Sequence, residues 1–213
     1  YVKDGKVLAI GTNPLGELFL KKLGLMVEDN RWGIELIPTS ISQMEICQQF
    51  HLPTTTLNDR EVDLCFEFVS QATEDYDFLK RNSSSLIRDK MVAQSAGELI
   101  AILPAKDVVP RLNGACPFEI SAFGWKRTLL QLGQLGNVDF SQYKREPEKT
   151  ETGHYVVSVT LEESAGLSVE ELDAQARRIP GVIETGLFPC AADRLILVGE
   201  TEIRVKSRLD FEK

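Results

Sequence analysis

Short apolar runs alternate with amphipathic stretches through the first half of the chain. KVLAIG, residues 6–11, places four apolar residues in a row and ends in glycine, the pattern of a buried strand. Leu15, Leu18, Leu20, Leu23 and Leu25 follow with Lys21 and Lys22 between them, which predicts a helix. GIELIPTS then SQMEICQQF repeat this order, as do VDLCFEF, SSSLIRDKMVAQSAG and ELIAILPAK. Strands that alternate with helices predict a parallel sheet with crossover helices. Gly11, Pro38 and Pro104 fall at the carboxyl ends of these strands, where ligands of such sheets bind.

After about Ala115 the grammar changes. PFEISAF reads as a strand, and WKRTLLQLGQLG as a helix with an apolar stripe at Leu129, Leu130, Leu132 and Leu135. YVVSVTL alternates as a half-exposed strand does. SVEELDAQARRI starts with Ser168 and has Glu171 three residues on, the spacing of a capping box. SQYKREPEKTETGH is charged and nearly free of aliphatics, so a solvated loop is expected. RLILVGE then returns as an apolar strand of the first sheet. The expected division is an α/β domain of residues 1–115 plus 193–213 and a small α+β domain of residues 116–192.

With 24 basic against 32 acidic residues and a net charge of -8, the chain has no overall positive field for nucleic acid or an anionic membrane. Nucleic-acid binding is therefore not expected. No apolar run approaches the roughly 20 residues of a membrane-spanning helix, so no span is expected. Cys47, Cys65, Cys116 and Cys190 form no CxxC pair, which points to reduced thiols and a soluble protein of a reducing compartment, cytoplasm or plastid stroma. His51 and His154 are far apart and are read as surface or turn residues, and no metal site is expected.

KRNSSSLIRDK, residues 80–90, gathers a lysine, three serines and a carboxylate at a helix entry. Ser83, Ser84 and Ser85 are candidate caps for the amides of the first turn. The same convergence of amides and cations suits an anionic, oxygen-rich ligand, and both readings stand at this point.

IPGVIETGLFPCAADRLILVG, residues 179–199, resembles the type A ribose-5-phosphate isomerases, and KDGKVLAIGT, IPTSIS, LPTTTLNDREVDL, LIRDKMVA and CPFEIS extend the resemblance in order along nearly the whole chain. The resemblance implies a Rossmann-like parallel-sheet domain of the sugar isomerase and CoA-transferase kind with a small inserted α+β domain. It also implies a reaction: metal-independent interconversion of ribose 5-phosphate and ribulose 5-phosphate through an enediolate, without a cofactor. Such chemistry needs a carboxylate to carry a proton between neighbouring carbons, a cation beside the developing oxyanion, and an anion cradle for the phosphate.

Carried over position by position, the proton-carrying glutamate of the family becomes Asp89 in Arg88-Asp89-Lys90, one methylene shorter. The stabilising lysine becomes Lys80, but Arg81, Asn82 and Ser83 replace the glycines that follow it. The Asp-Gly-Ala-Asp pattern becomes Glu67-Phe68-Val69-Ser70, although DLCFEF alone reads as a strand with one outward polar residue. The Gly-Thr-Gly-Ser-Thr phosphate loop becomes Gly11-Thr12-Asn13-Pro14-Leu15, in which Pro14 has no amide hydrogen and Leu15 no hydroxyl. Of Asp-Ser-Lys after a later strand, Lys106 alone remains. The resemblance thus assigns Asp89, Lys80 and Glu67 to catalysis and Thr12, Ser70, Arg81 and Lys106 to substrate binding. These departures lead us to expect a divergent pseudoenzyme with impaired or lost isomerase activity in a binding or assembly role. An active isomerase acting on the sugar phosphate is the alternative. Protein partners in an assembly and a homo-dimer are the partners expected on the first reading and on the resemblance.

Overall fold

The computed structural model describes residues 1–161 and 166–209, so residues 162–165 of the expected small domain and 210–213 of the sheet domain lie outside the described residues. In chain order the elements begin with β1 (Val7–Ile10), α1 (Pro14–Asn30), β2 (Glu35–Pro38), α2 (Ile41–Gln49) and β3 (Val62–Phe68). Two short strands, β4 (Gln71–Ala72) and β5 (Phe78–Leu79), precede α3 (Leu86–Ser95) and β6 (Ala96–Pro104). Then come β7 (Gly114–Ile120), α4 (Trp125–Leu132), β8 (Tyr155–Leu161) and α5 (Val169–Arg177). The last strands are β9 (Val182–Thr185), β10 (Leu187–Phe188), β11 (Arg194–Val198) and β12 (Ile203–Ser207). They divide into two compact units: Tyr1–Phe68 with Arg88–Ala105 and Ala191–Lys213, and Val69–Ile87 with Lys106–Cys190.

The first unit is built on a six-stranded sheet in the order β12-β11-β6-β3-β1-β2. All neighbours are parallel except β12, which runs antiparallel to β11. Leu8 lies opposite both Leu36 and Leu64, and all four residues of β1 are buried, as the unbroken apolar run requires of a central strand. RLILVGE joins this sheet through β6, as expected.

α1 starts where Asn13 caps it and Pro14 takes the first helical position, which needs no amide hydrogen. Its buried face includes Leu20, Leu23 and Gly24. A Cβ on Gly24 would lie 2.7 Å from Cγ of Phe50, so the missing side chain lets the helix approach that ring. α2 is capped by Ser40, whose hydroxyl accepts from the Gln43 amide at 3.2 Å.

The second unit holds two antiparallel three-stranded sheets, β8-β7-β9 and β10-β5-β4. Phe118, Ile120, Leu129, Leu132, Val157 and Leu172 belong to its core, and α5 has the capping box read from Ser168 and Glu171. β8 alternates between buried and less buried residues, as its sequence indicates. The contacts group residues 69–87 and 106–115 with this unit, whereas the sequence division put them with the sheet. The reason is pairing: β4 and β5 are two residues long, too short to show a period, and they bond to each other while β5 also bonds to β10.

SQYKREPEKTETGH is also less solvated than expected at its end. The Thr150 and Thr152 hydroxyls donate to Oε1 of Glu119 at 2.9 and 2.6 Å. No described helix is long and apolar enough to cross a membrane.

Candidate functional site

In the first unit the carboxyl end of β1 meets Asp89 of α3. Asp89 is fully buried there, and its Oδ1 accepts from the Thr12 amide at 2.9 Å and the Thr12 hydroxyl at 3.0 Å. Thr12 Oγ1 stands 3.1 Å from Thr39 Oγ1, and the Thr39 amide donates to Oε1 of the buried Gln43 at 3.0 Å. Gln43 Nε2 in turn donates to the Ile10 carbonyl at 2.8 Å, and Arg88 Nη1 to the Thr39 carbonyl at 3.3 Å. This polar chain ties the ends of β1 and β2 to α2 and α3.

Glu67 is fully buried, not the outward residue that the strand alone suggests. A Cβ on Gly11 would overlap the Glu67 carboxylate, so Gly11 is required by close approach. Two buried carboxyl groups therefore abut the Gly11-Thr12 step.

The backbone donors of residues 11–15 are largely taken. Gly11 N donates to the Phe66 carbonyl at 2.9 Å, Thr12 N to Asp89, and Leu15 N to Asn13 Oδ1 at 2.8 Å. Pro14 has none. Asn13 also donates Nδ2 to the Phe68 carbonyl at 3.2 Å, so its side chain stitches the loop to the end of β3.

In the second unit Lys80 is fully buried, and its amide donates to the Gly186 carbonyl at 2.9 Å. Ser70 Oγ accepts from the Arg81 amide at 3.3 Å, which brings these two assigned residues together. The Arg81 guanidinium donates to the carbonyls of Ala115 at 2.8 Å and Asn113 at 2.7 Å. Its fork is thus engaged with backbone. Lys106 is exposed, on a short turn of Ala105–Asp107.

The serine run does not act alone at the helix entry. Ser83 Oγ accepts from the Ser85 amide at 3.0 Å, while the Ile87 amide, second in α3, donates to Glu119 Oε2 at 3.1 Å. Sequence reasoning missed Glu119, Thr39 and Gln43. A lone polar residue in an apolar strand, as in PFEIS, is the signal that could have found Glu119. Among the described residues no group of three or more His, Cys, Asp or Glu could hold a metal ion.

A mainly parallel sheet with a glycine-led loop at its strand ends, in one chain with a small antiparallel unit, defines a Rossmann-like α/β protein with an inserted α+β domain. Residues 35–202 match the family described as Ribose 5-phosphate isomerase A (phosphoriboisomerase A), and the chain belongs to it. It is 30% identical to the Ribose-5-phosphate isomerase A of Methanoregula boonei, over 93% of this chain and 84% of that one. The namesake of Synechococcus sp. (strain RCC307) is 29% identical, over 100% and 92%. In fold the chain is similar to the ribose 5-phosphate isomerase of Plasmodium falciparum, with a TM-score of 0.87, 20% identity and coverage of 98% and 93%. The Methanocaldococcus jannaschii enzyme gives 0.86, 23%, 97% and 93%.

Proposed function

We propose that this chain is a divergent ribose-5-phosphate isomerase A-like protein in which isomerase activity is impaired or lost and the fold serves a binding or assembly role, with protein partners or a second copy. One observation carries the reading: of the five residues Gly11 to Leu15, three have their amide hydrogens bonded within the chain and Pro14 has none. A phosphate dianion needs several fixed donors, and this loop offers few. Asp89 adds to the loss, since its reach is one methylene shorter than the glutamate of the resembling enzymes, and ~1 Å of misplacement can cost about a hundredfold in rate.

The test is ribulose 5-phosphate formation by the purified chain, beside a variant with Asn13→Gly, Pro14→Ser and Leu15→Thr. The unmodified chain should turn over far below the ~10 per second of an ordinary enzyme, and the triple variant should gain at least about tenfold in binding ribose 5-phosphate. Turnover near ~10 per second by the unmodified chain would overturn the reading.

The burial of Glu67, Asp89 and Lys80 favours a second reading, because buried ionisable groups are costly and concentrate at functional sites. On that reading the chain interconverts ribose 5-phosphate and ribulose 5-phosphate. Asp89 moves the proton, Lys80 steadies the enediolate oxygen, Glu67 assists ring opening, and Thr12, Ser70, Arg81 and Lys106 hold the substrate. The same assay decides between the two. The four cysteines stand as thiols, three of them buried, which supports placing the chain in a reducing compartment, cytoplasm or plastid stroma.

A further inference from the structure

Two segments of the second unit leave a common point in the same direction and carry opposite charges. Ala72 and Val108 form a parallel bridge, and the Val109 amide donates to the Ala72 carbonyl at 2.8 Å. Each chain runs three residues on from that bridge, one to Asp75 and the other to Arg111. Bridged segments lie only about 5 Å apart, so an acid and a base are set side by side. Both are exposed, and among the described residues no ion pair joins Arg111 to Asp75 or to Asp77.

All three charged groups line one cavity of about 350 Å³ within this unit. Its apolar part includes Leu112, Leu135, Leu161, Leu172 and Leu187, all of them in or packed against the hydrophobic core of the unit, so that wall is fixed by packing. The polar part is fixed as well. Asp77 Oδ1 accepts from the Cys190 amide at 2.7 Å, and its Oδ2 from the hydroxyl of the buried Thr73 at 3.2 Å. Arg111 Nη2 donates to the Leu167 carbonyl at 2.6 Å, which anchors a guanidinium that has further donors to give. A cavity of roughly 150 Å³ lined by apolar side chains already admits a benzene ring, so a branched aliphatic or phenyl side chain fits here by volume.

The ligand that suits this lining has a cation for the aspartates, an anion for the arginine and an apolar body for the leucines. An α-amino acid carries ammonium, carboxylate and side chain on a single carbon, as neighbouring charges of opposite sign require. We propose that the cavity binds a free α-amino acid with an apolar side chain of leucine or phenylalanine size: the ammonium faces Asp75 and Asp77, the carboxylate faces Arg111, and the side chain lies among the leucines. None of the residues assigned to the sugar phosphate lines this cavity. The proposal therefore goes beyond the function proposed above and stands whether or not the chain turns over ribose 5-phosphate.

Isothermal titration calorimetry of the 213-residue chain with L-leucine and with L-phenylalanine tests it. At least one of them should bind saturably. Two analogues of the tighter one then report on its charges: the α-amide, which lacks the carboxylate, and the deamino acid, which lacks the ammonium. Each should bind at least about tenfold more weakly, the worth of one charge-assisted contact. Arg111→Gln should weaken the amino acid about tenfold and leave the amide unchanged, whereas Asp75→Asn should weaken it about tenfold and leave the deamino acid unchanged. Both side chains are exposed, so both variants keep the fold, and a merely structural role would weaken every ligand alike. Three results would overturn the proposal: no saturable heat from either amino acid at millimolar concentration, an amide that binds as tightly as the amino acid, which marks the amino terminus of a peptide as the occupant, or variants that treat the three compounds alike.

Discussion

At the scale of single residues, one missing side chain and one buried thiol have measurable consequences. Gly11 is held to glycine by the Glu67 carboxylate packed against it, so Gly11→Ala forces that buried group to move. We expect a loss of about 1–3 kcal/mol in urea unfolding, the usual range for overpacking. Cys47 is buried in the core of the first unit, and burial pushes its thiol up to about 11 from 9.0. The folded state thus holds a proton that the unfolded state releases first. The stability from this group is fully present below pH 9.0 and is lost as pH rises to about 11. Cys47→Ala should flatten the alkaline limb of stability over that window, and at pH 8 thiol reagents should label the exposed Cys190 ahead of Cys47.

Helix ends show how much of an element its local sequence dictates. The capping box of α5 was legible because both partners lie three residues apart, and the Glu171 amide donates to Ser168 Oγ at 3.1 Å while Glu171 Oε2 accepts from the Ser168 amide at 2.8 Å. Ser168→Ala should cost about 1 kcal/mol and lower the thermal midpoint by a few degrees in calorimetry. A drop no larger than that of a neutral surface change would show that tertiary packing alone sets this helix start. α3 is the contrary case. The serines before it suggest a local cap, but the Ile87 amide goes to Glu119, 32 residues away on β7. No local pattern announces a partner at that distance.

At the scale of the whole molecule, the alternation of strands and helices gave the parallel sheet, including the return of β11 after a long excursion. Beyond that, β12 completes the sheet as an antiparallel edge strand that the apolar pattern does not reveal: Ile203 is 67% and Val205 47% exposed, so no buried face marks it. Likewise β4, β5 and β10 exist through mutual pairing, and these short strands draw residues 69–87 into the second unit.

The sequence by itself determined the elements with a full hydrophobic period, their order, and the places of the altered loop and carboxylates, because periodicity, proline and capping chemistry act over a few residues. Tertiary structure decided which of those polar groups are occupied. That Thr12 would give its amide to Asp89, 77 positions on, depends on bringing β1 and α3 together. So does the turn of Glu67 inward over Gly11, because a strand residue shows its facing only once its neighbours are laid beside it. Pairing between distant segments is a property of the packed chain, where every buried donor must find an acceptor, and no window of neighbouring residues carries that information.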